Sequence, residues 1–139
     1  MADSAVQAAE TLYAALEADD IDALLDLCAD DVSVDYPAAG ELPYGGHWQG
    51  RDGLAAFLDT HDQAEEILEF DVDRLLGDED LVIALGRFSG RAKPSGTDWS
   101  THFAHALTFR DGKLRRWQAY FDTAAALAAH RQDDGTPGQ

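Results

Sequence analysis

Residues 103–129, FAHALTFRDGKLRRWQAYFDTAAALAA, contain the pattern that decides the fold. Apolar and polar residues alternate on both sides of the pair Asp111–Gly112, which is a strong short-range signal for a β-hairpin with a two-residue turn. The second strand ends at Phe121, and Asp122 is a suitable N-cap for the Ala-rich helix that follows. This stretch therefore predicts two paired antiparallel strands and a short helix after them.

Upstream of this stretch, the chain shows helices first and strands afterwards. The spacing of apolar residues predicts three helices, over residues 5–16, 21–28 and 51–61. Alternation predicts a short strand at Val32–Tyr36 and three or four strands after residue 66. Helices grouped beside hairpin-linked strands are typical of an α+β fold, with a curved, mostly antiparallel sheet wrapped around the N-terminal helices. We predict one domain over residues 1–131 and a flexible tail over 132–139.

The charge of the chain excludes several classes of partner. Its 139 residues carry 27 acidic and 10 basic side chains, for a formal net charge of −17. Nucleic acids and anionic membranes bind proteins through clustered Lys and Arg, so neither is expected as a partner. No run approaches the ~18 apolar residues of a membrane span, and no signal peptide is recognised. Because Cys28 is the single cysteine, no internal disulfide is possible, and a cytoplasmic location is the expectation.

The acidic residues are biased towards aspartate, with 20 Asp, 7 Glu and only 2 Lys in the chain. They are spread along the whole sequence, which argues against one acidic face for a basic partner. A surface of short carboxylates with little lysine fits adaptation to high salt, where ions screen the self-repulsion of the chain. A well-solvated surface without any such adaptation is the simpler alternative.

Three segments of the chain resemble a known family. They are ALEADDIDALLDLCADDVSVDYP at residues 15–37, YGGHWQGRDGLAAFL at 44–58, and the stretch at 103–129 quoted above. Over about residues 6–129 the chain resembles SnoaL-like, ketosteroid-isomerase-related proteins of the nuclear-transport-factor-2-like (NTF2-like) superfamily. The resemblance implies a cone-shaped α+β barrel and a homodimer formed through the outer face of the sheet. It does not imply one reaction, because the superfamily contains isomerases, cyclases, epoxide hydrolases, dehydratases and binding modules.

The catalytic groups of these relatives do not carry over to this chain. The positions that the isomerases fill with Tyr, Asp and a protonated Asp align with Leu12, Tyr36 and His105. Tyr13 lies one residue beyond the first of these, about 100° further round the helix, and is not expected to replace it. The histidine of the cyclases matches His105, but their catalytic aspartate aligns with Ala119. The resemblance therefore implies a pocket nearly free of carboxylates.

Two residues remain as candidate catalytic groups. His105 takes a position that the superfamily uses for a polar group facing the pocket, and imidazole suits proton transfer near neutral pH. Tyr36 is placed to donate a hydrogen bond to a ligand oxygen. The resemblance implies an apolar pocket lining formed by Trp48, Phe57, Phe88, Phe103, Trp117 and Phe121. Small residues at Gly86 and Ala119 are expected to leave room for the ligand.

Three functions stay open at this point. The first is a cofactor-independent isomerase, lyase or cyclase, with His105 as acid or base and Tyr36 as hydrogen-bond donor. The second is a non-catalytic protein that binds or carries a small apolar molecule, which the missing carboxylates favour. The third is an interaction module whose cone is filled by its own rings. No metal or other cofactor is expected, because His102 and His105 point to opposite faces of a strand and cannot share an ion.

The high-salt hypothesis predicts that salt stabilises the fold. The Debye length falls from about 30 Å at 0.01 M salt to about 3 Å at 1 M, so repulsion among the carboxylates is screened. We expect the melting temperature to rise between low and multimolar KCl, by about 4 °C for each kcal/mol gained. Thermal melting followed by circular dichroism measures this, and a melting temperature indifferent to KCl would contradict the hypothesis.

Overall fold

The computed structural model describes the backbone of residues 2–131 and the side chains of residues 5–131. The elements, in chain order, are α1 (Ala2–Glu17), α2 (Ile21–Asp26), β1 (Cys28–Tyr36), β2 (Gly46–Gln49), α3 (Gly50–Ala64), β3 (Glu65–Asp78), β4 (Leu81–Ala92), β5 (Thr97–Arg110), β6 (Lys113–Phe121) and α4 (Thr123–Arg131). The predicted tail, residues 132–139, lies outside the described residues. Within residues 2–131, no helix is both long enough and apolar enough to cross a membrane.

The six strands form one curved, unclosed sheet in the order β2-β1-β6-β5-β4-β3. Strands β1 and β6 are parallel, and the other neighbours in the sheet are antiparallel. Helix α1 packs on β3 and β4, whereas α3 packs on β1. The predicted α+β class, with a mostly antiparallel sheet and N-terminal helices, is confirmed.

The hairpin between β5 and β6 has the predicted geometry. Asp111 and Gly112 both have positive φ angles, 53° and 78°, as a type I′ turn requires. Arg110 pairs with Lys113 across the turn. At the end of β6, Asp122 Oδ1 accepts a hydrogen bond from the backbone N–H of Ala125 at 3.1 Å, so Asp122 is the expected cap of α4.

Two boundaries in the first half of the chain differ from the prediction. Helix α2 ends at Asp26, so Cys28 begins β1 instead of ending a helix, although it is buried as expected. The pairing of β1 with β6 shifts between Cys28 and Ser33, and this irregularity hides the start of the strand from a search for strict alternation. Strand β2 is also new, because four residues at a sheet edge are too few to show a period.

The connection between α3 and β3 is the largest difference from the prediction. The sequence predicts that the helix ends at residue 61 and that the strands begin after residue 66, but the helix continues to Ala64 and the strand begins at Glu65. The backbone N–H of Glu65 still donates to the carbonyl oxygen of His61, and Glu65 already has an extended conformation. Helix and strand therefore meet without a connecting loop, which fixes the directions of the side chains on either side of the junction.

Gly86 lies in β4, where the backbone of β3 and the ring of Phe103 come very close to it. A Cβ atom at this position would lie 2.0 Å from the carbonyl oxygen of Asp71 and 2.6 Å from the ring of Phe103. The glycine is therefore required by the close approach of β3 and by the Phe103 ring. The sequence suggests that Gly86 leaves room for a ligand. This expectation is wrong, because the neighbouring backbone and ring already fill the space.

We expect the substitution Gly86→Ala to destabilise the protein by about 1–3 kcal/mol, because the new methyl group overpacks this contact. Denaturant unfolding measures the change in the free energy of unfolding. Ser89→Ala, in the same strand, is the matched control and should stay within about 0.5 kcal/mol of the parent. Equal free energies of unfolding for Gly86→Ala and the parent would contradict the packing described here.

Candidate functional site

A cavity of about 800 Å³ lies between the N-terminal helices and the inner side of the sheet. Its wall combines aromatic rings with a few polar groups. Exposed charged residues also line it, so the cavity reaches the protein surface. These rim residues are Glu17, Asp19, Asp59, Asp62, Glu66 and Lys93. Five of the six are acidic, which makes the rim negatively charged.

Seven of the eight site residues predicted from the sequence line this cavity. They are Tyr36, Phe57, Phe88, Phe103, His105, Trp117 and Phe121. Trp48 does not line it and is a correction to the predicted pocket wall. Trp48 lies in the edge strand β2, and its backbone pairs with that of Val34 in β1. Its ring lies 5.8 Å from that of Phe57, and its Nε1 donates to the carbonyl oxygen of Tyr44. Trp48 therefore packs against another aromatic residue and does not cover the cavity.

His105 forms a buried hydrogen bond that the sequence does not reveal. Its Nδ1 lies 2.7 Å from the hydroxyl oxygen of Tyr13 in α1. Burial lowers the pKa of His105 to about 3, so its imidazole is neutral at physiological pH. Tyr13 reaches His105 although it lies one residue beyond the position of Leu12, because both Leu12 and Tyr13 are buried. The buried face of α1 is therefore wide enough to include both of these adjacent residues.

The surroundings of His105 are almost entirely aromatic. The ring of Phe103 stacks on it at 4.4 Å, and the ring of Trp117 meets it edge-on at 5.4 Å. Trp117 is 4% exposed, and its Nε1–H has no hydrogen-bond partner among the described residues. A buried N–H donor without a hydrogen-bond partner costs free energy. That nitrogen is covered by the protein itself, so Trp117 contributes its ring, and not its N–H, to the cavity wall.

Tyr36 lies at the end of β1, before Pro37, where its ring contacts other rings of the cavity wall. Its centroid is 4.6 Å from that of Phe57 and 5.7 Å from that of Phe121. Burial, with a further contribution from the charge of Glu65, raises the pKa of Tyr36. The hydroxyl therefore stays protonated and is able to donate a hydrogen bond.

A second polar cluster is built around Glu65, whose carboxylate is completely buried. The hydroxyl of Tyr44 donates to Oε1 at 2.8 Å, and the indole N–H of Trp99 donates to Oε2. The Nε2 atoms of His61 and His130 lie 3.5 and 3.8 Å from Oε1. The hydroxyl of Tyr44 is also 3.3 Å from Nε2 of His130. We call these five residues the Glu65 cluster.

Glu65 borders the cavity, where the sequence predicts almost no carboxylates, but its carboxylate is covered by its partners and is not exposed to a ligand. Glu65 lies in a stretch of charged residues that is typical of an exposed loop, which is why the sequence does not single it out. The spacing of His61 and Glu65 by four residues is a signal that could have linked them, because such residues are neighbours on a helix. Tyr44 and Trp99 give no comparable signal, since the fold brings them to Glu65 from distant parts of the chain.

Within residues 2–131 no group of three or more His, Cys, Asp or Glu side chains is arranged to hold a metal ion. His102 is exposed and His105 is buried, as their positions on opposite faces of β5 require.

Comparisons with known proteins agree with this architecture. A structure of an NTF2-like protein from Burkholderia xenovorans LB400 is 27% identical, with a TM-score of 0.86 over 94% of this chain and 98% of that chain. TerC, co-crystallised with polyporic acid, is 25% identical, with a TM-score of 0.82 over 92% and 98% of the two chains. A protein of ketosteroid isomerase-like fold from Catenulispora acidiphila, in complex with trimethylamine, is 21% identical, with a TM-score of 0.75 over 94% and 97%.

The search of curated proteins found no match. The family model of the SnoaL-like domain matches residues 9–117, which is most of the chain and includes α2, α3, the Glu65 cluster except His130, and the strand that holds His105. The chain therefore belongs to the SnoaL-like domain family, within the NTF2-like superfamily.

Proposed function

We propose that this protein binds a small, mostly apolar molecule in the cavity between its helices and its sheet. The observation that carries the proposal is a cavity of about 800 Å³ whose wall combines aromatic rings with a few polar groups. Ligand sites of proteins typically have volumes of about 300–1,000 Å³ and the same mixture of apolar lining and few polar groups. The alternative of a cone filled by its own rings has less support, because the rings leave this volume open.

The polar groups of the wall suit a ligand that carries an oxygen or another acceptor atom. Tyr36 offers a protonated hydroxyl. His105 is held neutral by burial, so its part in binding is that of a hydrogen-bonding group, oriented by Tyr13. A group whose pKa is about 3 accepts a proton only at a large cost in free energy near pH 7. We therefore assign His105 to binding and not to proton transfer.

The acidic rim adds a charge preference to the proposal. The five carboxylates at the rim are opposed by Lys93 alone among the charged residues lining the cavity. A field of one sign around an entrance concentrates ligands of opposite charge and repels those of the same charge. The ligand is therefore a neutral or cationic molecule. Two solved structures of the same fold hold small molecules, polyporic acid and trimethylamine.

The proposed preference for neutral ligands is tested with two molecules of the same size. We expect 2-acetylnaphthalene to bind more tightly than 2-naphthoate, by about tenfold at low salt, because only the second is repelled by the rim. The difference should shrink as salt screens the rim charges. Isothermal titration calorimetry measures both dissociation constants, and tighter binding of the anion at low salt would contradict the charge preference.

The location of the ligand is tested by filling the cavity. Ala55 lines the cavity, whereas its neighbour Ala56 is exposed on the outside of α3. We expect Ala55→Trp to abolish binding of 2-acetylnaphthalene, because the indole occupies the space of the ligand. Ala56→Trp, the matched control, should bind as the parent does. Equal binding by the two variants, with melting temperatures showing that both are folded, would place the ligand elsewhere and overturn the proposal.

A further inference from the structure

Two histidines, His61 and His105, line the cavity. Their surroundings differ because only His61 has a carboxylate beside it. His105 is surrounded by rings and by the hydroxyl of Tyr13, and burial is the one cause acting on its pKa. His61 lies in the last turn of α3, with its Nε2 atom 3.5 Å from a carboxylate oxygen of Glu65. One histidine therefore has no counter-ion for a protonated ring, and the other has one in contact.

We propose that His61 is the group that accepts a proton from the bound molecule and returns it, and that Glu65 is a positioning residue that orients and stabilises His61. The inference rests on the proposed binding function, because His61 lines the same cavity. It names a catalytic residue that differs from the His105 expected from the sequence, and a residue that positions it.

Accessibility assigns the two roles. The side chain of His61 is 15% exposed, whereas that of Glu65 is 0% exposed. A ligand in the cavity is therefore able to touch the imidazole but not the carboxylate. Because Nε2 of His61 faces Glu65, the Nδ1 atom is the one left for the ligand. His130, on the other side of Glu65, does not line the cavity.

The Glu65 cluster provides the charge that a proton-accepting imidazole needs. When His61 takes a proton, the resulting imidazolium is compensated by the carboxylate at its Nε2 atom, as in the histidine–carboxylate pairs of hydrolases. The carboxylate itself is held in place by hydrogen bonds from Tyr44 and Trp99. The position of His61 in the last turn of α3 contributes in the same direction, because the C-terminal end of a helix carries a partial negative charge.

The groups around His61 have opposite effects on its pKa. Burial is the largest influence and lowers the pKa of His61, and the nearby cationic or protonatable groups Lys93 and His130 act in the same direction. Glu65 and Asp62 raise it. The balance leaves the pKa of His61 below its usual value, so the ring is neutral and able to accept a proton at pH 7.

The proposed step is balanced without an oxidant, a reductant or a cofactor. A C–H bond of the neutral ligand breaks, its proton goes to Nδ1 of His61, and its electron pair moves to an electronegative atom of the ligand. The imidazolium then returns the proton to another atom of the same molecule. The ligand class is therefore a small, neutral carbon acid, and the product is its isomer.

The test uses 5-nitrobenzisoxazole, a neutral bicyclic carbon acid that is small relative to the cavity. When a base removes its C3 proton, the C–H electron pair completes a nitrile, the N–O bond breaks, and the oxygen leaves as coloured 2-cyano-4-nitrophenolate. We expect the protein to accelerate this reaction, and His61→Gln to lower kcat/KM by about 100-fold, the scale of general base catalysis. His102→Gln removes an exposed histidine outside the cavity and should leave the rate unchanged.

The role of Glu65 is tested by the pH dependence of the same reaction. Glu65→Gln removes the charge that favours the imidazolium, so the pKa of His61 falls further. The acidic limb of the kcat/KM profile should therefore move to lower pH, with a lower plateau because the base is weaker. A purely structural role of Glu65 would lower the rate without moving the limb, and that result would overturn the assignment of Glu65.

Binding measurements separate failure of this inference from failure of the proposed function. 5-Nitroindole, which lacks the N–O bond, reports on occupancy of the cavity by calorimetry for each variant. If it binds but the wild type gives no acceleration, or His61→Gln is as fast as the wild type, then His61 is not the base and the binding function stands. If neither 5-nitroindole nor 2-acetylnaphthalene binds, the proposed function is wrong and the inference falls with it.

Discussion

The buried carboxylate of Glu65 is the constraint on which the organisation of the cavity depends. A buried charge costs several kcal/mol unless hydrogen bonds and ionic partners replace its water. Its partners come from four different parts of the chain: Tyr44 from the segment after β1, His61 from α3, Trp99 from β5 and His130 from α4. Satisfying one carboxylate therefore fixes the relative positions of four elements around one end of the cavity.

The carboxylates of this protein have two distinct uses. Most of the 27 acidic side chains are exposed, and they set the charge of the surface and of the cavity rim. Among the described residues, Glu65 is the buried one. At the surface, a carboxylate is solvated and interacts weakly with its neighbours, whereas at Glu65 the low local dielectric strengthens each contact. The net charge of −17 therefore describes the surface and the cavity rim, and it conceals the one buried glutamate.

The sequence predicts the fold well because its signals are local. The hairpin turn at Asp111–Gly112, the cap at Asp122 and the alternating row of β5 each depend on residues near one another in the chain. The site is predicted only in part for the same reason. The aromatic wall follows from strand alternation and from the family resemblance, but the pairing of Tyr13 with His105 joins residues 92 positions apart. The Glu65 cluster likewise assembles through tertiary contacts, and Trp48 is misplaced because β2 gives no periodic signal.

The two cavity histidines differ because, of the two, only His61 has a carboxylate in contact. The most direct measurement is a pH titration of their ring carbon and proton signals by nuclear magnetic resonance, in the wild type and in Glu65→Gln. We expect His105 to stay neutral down to about pH 3 in both proteins. We also expect the pKa of His61 to fall in Glu65→Gln, because the charge that favours its imidazolium is removed. A His61 pKa that does not change in Glu65→Gln, or a His105 that titrates near pH 6.5, would contradict these expectations.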